Sequence, residues 1–542
     1  MTRPKKNVLD IAYEWIEACD ASHEMCVPRK SDSLPTRLIS VCGEVIHLES
    51  TETWTSSPPY ATLSYCWGDL DFLTTTTSVL EDFLIEIPFA RLPQTFKDAI
   101  QIVRALRIGY IWIDSLCIVQ DSEADWRKES SRMSEVYGSS YINIAASSAS
   151  NPGEGCFTKP QFMRDTVEAN ITISGQEYEY WFYNIRNSYT LAVERSHLMS
   201  RAWAVQEKLL PTRSIHLGNR GAFWECRSSV GLECWPNLFD GAVSGLSLAS
   251  LTHNLDDTTD SHLHVRWERA VLAYSTANLT LSRDKLPGLA GIARRFGDYK
   301  QCEYLAGMWR DATFDAQLCW CIIGPQARPK RRAPSWSWAS VNGYVCSHRL
   351  EPAGMRSPRI VCARTLKASV TRVDGVIYGE VSDGWIRVAC SYILPGKVVM
   401  VAGKPTIAFR LQDAECNPLS LSLDCTDDID TADLESVHVL PILTTSVSPV
   451  QTNVPTQHED ARGLVLRRTD GVSGEFQRIG FFRCSTKVYD GRRVHEGTDG
   501  MTAWNEFIKL LHQQGAATAR RVCTEVIEDQ EHNTGGFVIT VI

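Results

Sequence analysis

The chain has 542 residues, 55 Lys+Arg against 64 Asp+Glu for a formal net charge of −9, and 44% hydrophobic against 22% charged residues. That length calls for about three domains or subdomains. The composition excludes wholesale disorder, and the acidic balance excludes a generally basic nucleic-acid binder. No run approaches the ~18 uninterrupted apolar residues of a membrane-spanning helix, and MTRPKKNVLD lacks an apolar signal region, so a cytoplasmic protein is expected.

Residues 1–50 read as a leader. A helical pattern runs from Val8 to Cys19. Cys19, His23 and Cys26 (CDASHEMC) then have ligand-like spacing, but no fourth ligand is adjacent. A packed helix end is the expectation there, and no metal site is assigned. Eighteen cysteines are too few for a disulfide scaffold, and several sit inside apolar runs as small hydrophobes.

Tyr60–Tyr65 (YATLSY) predicts a short strand stopped by Cys66-Trp67-Gly68. Pro93 opens a helix whose Phe96, Ala99, Ile100, Val103 and Leu106 keep one buried stripe, with Gly109 where a terminal glycine would end it. Tyr110–Ile113 is a second strand, ending in Asp114-Ser115. A helix follows from about Ala124, with Trp126, Ser130, Met133 and Tyr137 on one face, and Tyr141–Ala146 is a third strand. This alternation predicts a parallel sheet of βαβ units. Ligands of such sheets bind beyond the carboxyl ends of the strands. Ser64–Asp69, Asp114–Asp121 and Ser147–Gly155 should therefore meet on one rim.

Arg201–Leu210 predicts another helix, with Ser200 as its N-cap, and SIHLGNRGAFWEC a hairpin. Residues 262–345 begin helical and become irregular. From about 346 short alternating strands predict a β-rich unit, interrupted by an acidic loop at 412–435. The expected organisation is a leader (1–50), an α/β core (51–230), a helical extension (231–345) and a β-rich C-terminal domain (346–542).

YATLSYCWG, then LPQTFKDAIQIVRALRIGYIWIDSLCIVQDSEADWRKESSRMSEVYGSSYINIAAS, then SRAWAVQEKLLPTRSIHLGNRGAFWEC resemble the three blocks of the fungal heterokaryon-incompatibility (HET) domain. EWIEACDASHEMC, AYSTANLTLSRDKLPGLAGIARRF and APSWSWASVNG resemble the flanks of such proteins, so the likeness covers most of residues 15–345. The resemblance implies a fungal protein of non-self recognition and programmed cell death, whose core is TIR-like, hence flavodoxin-like. It also implies NAD or a nucleotide as a substrate, with no cofactor required. Self-association or another fungal protein supplies the partner. Two alternatives stay open: a HET-like enzyme repurposed for small-molecule secondary metabolism, and a non-enzymatic self-associating module. No GxxxxGK[ST] or blade repeat accompanies the domain.

Glycosidic cleavage needs an acid, aromatic walls and an anion anchor. Asp114, at a strand end, and Glu207, on a helix face with Trp203, are candidate catalytic acids. Glu129 resembles the position of the TIR-type catalytic glutamate. Ser64, Trp67, Gly68, Ser115, Asp121, Arg201, Trp203 and Gln206 complete the substrate-binding set, with Arg201 as anion anchor. Each acid has a plainer reading: Asp114 hydrogen-bonded to nearby loop amides, a salt bridge from Arg201 to Asp114 or Glu207, and Glu129 as a solvated helix residue beside Arg132. Cys66 and Cys117 are expected to be inert buried thiols.

Overall fold

A computed structural model describes the chain apart from residues 1–6, 27–33, 158–165, 175, 241–250, 252–254, 256–259, 331, 348–359, 402–403, 412–413, 430–435, 447–458, 470–471, 491–492, 497 and 528–535. The chain divides into two compact units, residues 1–279 with 288–299, and residues 280–287 with 300–542. Among the described residues no helix is long and apolar enough to cross a membrane.

In the first unit the elements are α1 (Val8–Ser22), β1 (Arg37–Ser40), β2 (His47–Ser50), β3 (Tyr60–Ser64), α2 (Leu80–Ile85), α3 (Gln94–Ala105), β4 (Tyr110–Trp112), α4 (Asp114–Cys117), α5 (Glu123–Gly138) and β5 (Ile142–Ala146). A separate hairpin, β6 (Thr166–Ile173) with β7 (Gln176–Tyr183), precedes α6 (Ile185–Tyr189), α7 (Ala202–Leu209), β8 (Arg213–Leu217), β9 (Phe223–Cys226), β10 (Ser229–Leu232), β11 (Trp235–Asp240), α8 (Asp260–Ser275) and α9 (Ala290–Lys300).

Nine strands form one mixed sheet in the order β11-β10-β9-β8-β5-β3-β4-β1-β2. Its centre, β4-β3-β5-β8, is parallel, with Ala61 opposite both Ile111 and Ile142, and Asn143 opposite Ser214. β3, β5 and β8 are buried at every position, as strands covered on both faces must be. The chain winds from β3 to β4 on one side, then crosses to β5 on the other. Winding therefore reverses between β3 and β5.

Local chemistry sets the helix boundaries. The Asn7 side chain caps α1 at Leu9 N (3.2 Å) and Ser122 caps α5 at Asp125 N (3.3 Å). Two expected caps are different. α3 ends by Arg107 adopting the left-handed region (φ 58°), not at Gly109. Gly109 instead allows close approach, since a Cβ there would lie 2.7 Å from Cys42 Sγ. Ser200 does not cap α7: its hydroxyl donates to His197 O (2.7 Å), and Arg201 stands at the N-cap position. On α5 the fully inward residues are Glu129, Val136 and Tyr137, so the inner stripe includes an acid that apolar periodicity hides.

The second unit holds an eleven-stranded sheet built from strands between Ile360 and Val541, closed over by the helix Thr498–Leu510 through Trp504, Phe507 and Ile508. Within the stretch 412–435 expected to be an acidic loop, Ala414–Leu423 is instead a strand; residues 412–413 and 430–435 lie outside the described residues. Its alternating SLSL pairs with Glu475–Ser485, and the following Asp424 is buried against Arg478 Nε (2.8 Å).

Gly68 closes the turn after β3 at φ 58°, where a Cβ would meet Asn151 Cβ at 2.7 Å and Ser150 O at 2.9 Å. Gly68→Ala should destabilise the first unit by about 2–3 kcal/mol, through both the left-handed backbone and the clash. A lower urea midpoint at unchanged slope is the expected reading.

Candidate functional site

The carboxyl ends of β3, β4 and β5 carry a connected polar network. Tyr65, the first residue past β3, donates its hydroxyl to Asp114 Oδ1 (2.7 Å), and Trp67 Nε1 donates to Asp114 Oδ2 (2.9 Å). The Ser115 amide donates to Asp114 Oδ1 as well (2.7 Å). Asp114, half-buried, therefore has both oxygens engaged. The Tyr65 and Trp67 rings are nearly coplanar in orientation, 12° apart at 6.5 Å, with Phe72 edge-on to both. Phe96 from α3 packs edge-on to Tyr65 at 4.9 Å. These aromatic residues fix the loop after β3 in one conformation.

Arg201 and Glu207, at opposite ends of α7, complete the network. Arg201 Nη1 donates to the carbonyl oxygen of Tyr65. Burial works against the Arg201 charge, but Glu207 and Asp114 together hold its pKa above the ordinary value. Glu207 is 3% exposed. Burial pushes its carboxyl up to about 7, against the opposing pull of Arg201 and the neighbouring hydroxyls of Ser64 and Tyr137. Among the described residues its Oε2 has no hydrogen-bond partner. A carboxyl that exchanges its proton near neutrality, beside a guanidinium and at strand ends, is equipped for acid–base work. A cavity of about 10 Å³, the size of one water, adjoins the network at Ser64 and is otherwise lined by Asn143, Ser147, Met199, Lys208 and His216 among others; Glu207, Arg201, Asp114 and Trp67 do not line it.

A buried ionic cluster lies immediately beneath and was not anticipated from the sequence. Lys208 Nζ is 2.6 Å from Glu225 Oε2, Tyr189 donates its hydroxyl to the same oxygen (2.8 Å), and His216 Nε2 is 3.3 Å from it. Ser147 Oγ approaches the other ring nitrogen of His216 at 3.5 Å. Burial alone would raise the Glu225 carboxyl. Lys208 and His216 overcome that and hold it well below the usual range. Burial and Lys208 lower the His216 pKa, so the ring is neutral at neutral pH. A lone acid in the apolar run AFWEC was the available signal for Glu225. Its partners are remote in sequence.

The remaining candidates are placed elsewhere. Glu129 is fully buried and accepts from Thr36 Oγ1, just before β1, while Arg132 pairs with Glu135 at 3.8 Å. Asp121 is exposed and accepts from Thr77 N (2.8 Å) and Thr77 Oγ1 (2.7 Å), which lower its pKa. Gln206 Oε1 accepts from Gly291 N at the start of α9 (2.8 Å). Trp203 is half-buried. Thus Ser64, Trp67, Gly68, Asp114, Ser115, Arg201 and Glu207 gather at the strand ends, whereas the side-chain bonds of Glu129, Asp121 and Gln206 lead away. A larger cavity, about 430 Å³, shares none of these residues and is lined by Thr36, Thr51, Trp54, Lys128 and Arg132 among others. Burial pushes the Cys66 thiol to about 11 and the Cys117 thiol to about 12, so neither is a ready nucleophile.

The family model described as "Heterokaryon incompatibility protein (HET)" matches residues 60–207, from the first residue of β3 to Glu207 itself. No curated protein matches the chain, and no solved structure does.

Two stability measurements check this geometry. Glu207 has its proton affinity raised on folding, so between its unfolded and folded pKa values the native state binds more protons and stability falls as pH rises. Glu207→Gln should remove that decline: relative to wild type it gains up to about 3 kcal/mol between pH 5 and pH 8, read from urea titrations. Glu225→Gln leaves the buried Lys208 ammonium without its carboxylate, and should cost about 3–5 kcal/mol at pH 7.

Proposed function

We propose that this chain, whose residues 60–207 are a heterokaryon incompatibility (HET) domain, acts in incompatibility-type recognition and cell death by cleaving NAD or a related nucleotide at the strand-end rim. The observation that carries this reading is the Glu207 carboxyl, buried and poised near neutrality beside Arg201. The strand order β4-β3-β5-β8 supports a flavodoxin-like, TIR-like core. In that order the ligand site falls where winding reverses, between β3 and β5. Ser64 ends β3 there, and Ser147 follows β5.

The chemistry follows from these groups. The bond between nicotinamide and C1′ of the ribose breaks, and the electron pair leaves with nicotinamide. Ionised Glu207 stabilises the oxocarbenium ion left on the ribose and takes a proton from the water that attacks it. Arg201 holds the pyrophosphate, and Trp67 offers a ring face for stacking. A nucleotide needs far more room than the adjoining water-sized cavity, which Ser196, Leu198 and Met199 line together with Ser64, so its entry requires the segment 196–199 to move.

The same tight closure favours a second reading, a non-enzymatic module that signals by self-association. Asp114 is internally satisfied by Tyr65, Trp67 and the Ser115 amide, as a purely structural carboxylate would be.

Nicotinamide release from NAD by the full-length protein decides between them. Under the first reading release is measurable, and Glu207→Gln lowers it by about 100-fold or more while the variant still folds. Arg201→Gln should raise KM more than it lowers kcat. Absence of release from folded wild type, across concentrations at which it self-associates, overturns the first reading in favour of the second.

A further inference from the structure

The first helix of the leader ends in a cluster at the opposite end of the parallel strands from the rim. α1 terminates at Ser22, with His23 as its C-cap, and a single 3₁₀ turn, Glu24–Cys26, follows. The helical end sets Cys19 and His23 four residues apart on one side, and the 3₁₀ turn brings Cys26 back to them. The fourth member, Cys226, comes from the end of β9, more than two hundred residues away in sequence. The three sulfurs and one ring nitrogen all lie within 4.8 Å of one another, with the cysteines buried and the histidine half-buried.

The spacing and surroundings both suit a cation. A tetrahedral zinc with its usual sulfur and nitrogen distances needs ligand-to-ligand edges of about 3.5–3.8 Å. His23 Nδ1 and Cys226 Sγ stand 3.5 Å apart. The turn between β9 and β10 directs its amides at the sulfurs: Ser229 N donates to Cys226 Sγ at 3.3 Å, and the Arg227 backbone donates to Cys26. Arg213 Nε donates to Cys19 Sγ at 3.2 Å. Donors aimed at sulfur are the usual outer shell of metal-bound thiolates. Three thiolates buried together would repel one another without a cation between them.

From this convergence we infer that Cys19, His23, Cys26 and Cys226 form a structural zinc site. All four tetrahedral positions come from the protein, so no position is open to substrate. Its place in the fold agrees. Cys226 pairs with Arg213, the first residue of β8, and so sits at the amino ends of the parallel strands. The rim lies at their carboxyl ends. The site clamps the end of α1 to the β9–β10 turn, next to the packing of Trp15 on Trp224 (6.2 Å between rings). It holds the leader on the sheet.

Metal analysis of the full-length protein, purified under reducing conditions and dialysed against metal-free buffer, tests this. The expected content is about one zinc per chain. Cys226→Ser and Cys26→Ser should fall below about 0.2 equivalents, whereas Cys42→Ser, at an exposed cysteine outside the cluster, keeps the full amount. Because the serine variants could fail to fold, His23→Cys provides a fold-preserving counterpart. It retains four ligands and the metal, and its cobalt-substituted form should show stronger thiolate-to-cobalt charge transfer than wild-type cobalt protein. Folded wild type with less than about 0.1 equivalents of metal overturns the inference. So does a full equivalent retained by a folded Cys226→Ser, or a disulfide joining any two of the three cysteines in the reduced preparation.

Discussion

The pairing of Lys208 with Glu225 is the constraint on which the strand-end site depends. Both groups are almost wholly buried, 2.6 Å apart, and neither could stay charged there without the other. Lys208 is on α7 and Glu225 on β9, so their attraction fixes where the helix sits against the β8–β9 hairpin. Tyr189 and His216 converge on the same carboxylate oxygen as Lys208, Glu225 Oε2. One residue before Lys208 along α7 is Glu207, and one residue before α7 begins is Arg201. The placement of Arg201 and Glu207 is thus inherited from an ion pair made by the next residue of the same helix.

α7 explains why three consecutive polar residues can be buried on a helix of eight. At about 100° per residue, Gln206, Glu207 and Lys208 point in three directions. Each direction has its own partner: the amide of Gly291 for Gln206, the hydroxyls of Ser64 and Tyr137 for Glu207, and Glu225 for Lys208. Of the two ionisable residues, only Lys208 has a charge partner in contact. Glu207 feels Arg201 through space, and that attraction falls short of its burial cost. A neutralisable acid is the result, flanked by two residues that anchor the helix whatever its protonation state. Stability and chemistry are divided among neighbours on a single turn.

The parallel core was legible because short strands rich in aromatic and aliphatic residues alternate with helices whose apolar residues keep a 3.6-residue stripe. The rim followed from topology, and with it Asp114, Trp67 and Arg201. Legibility failed where a polar side chain is turned inward. Glu129 faces Thr36, and Gln206 faces the start of α9, because partners distant in sequence await them. The acidic strand Ala414–Leu423 was obscured by its flanking charges, although alternation was present in SLSL. Cys19, His23 and Cys26 showed three ligand-like positions, but the fourth required the fold itself.

The two ends of the parallel strands have been given opposite chemistry. At the amino ends sit thiols, an imidazole and amide donors to sulfur, a closed set whose coordination is complete within the protein. At the carboxyl ends sit a titrating carboxyl, a guanidinium and aromatic rings, with a water-sized cavity next to Ser64 and Ser147. Parallel strands point every carboxyl end the same way, so connecting loops with adjustable side chains gather there, and the far end is left for anchoring. The segment 196–199, three of whose residues line that cavity, lies between the two hairpins and outside every strand of the sheet.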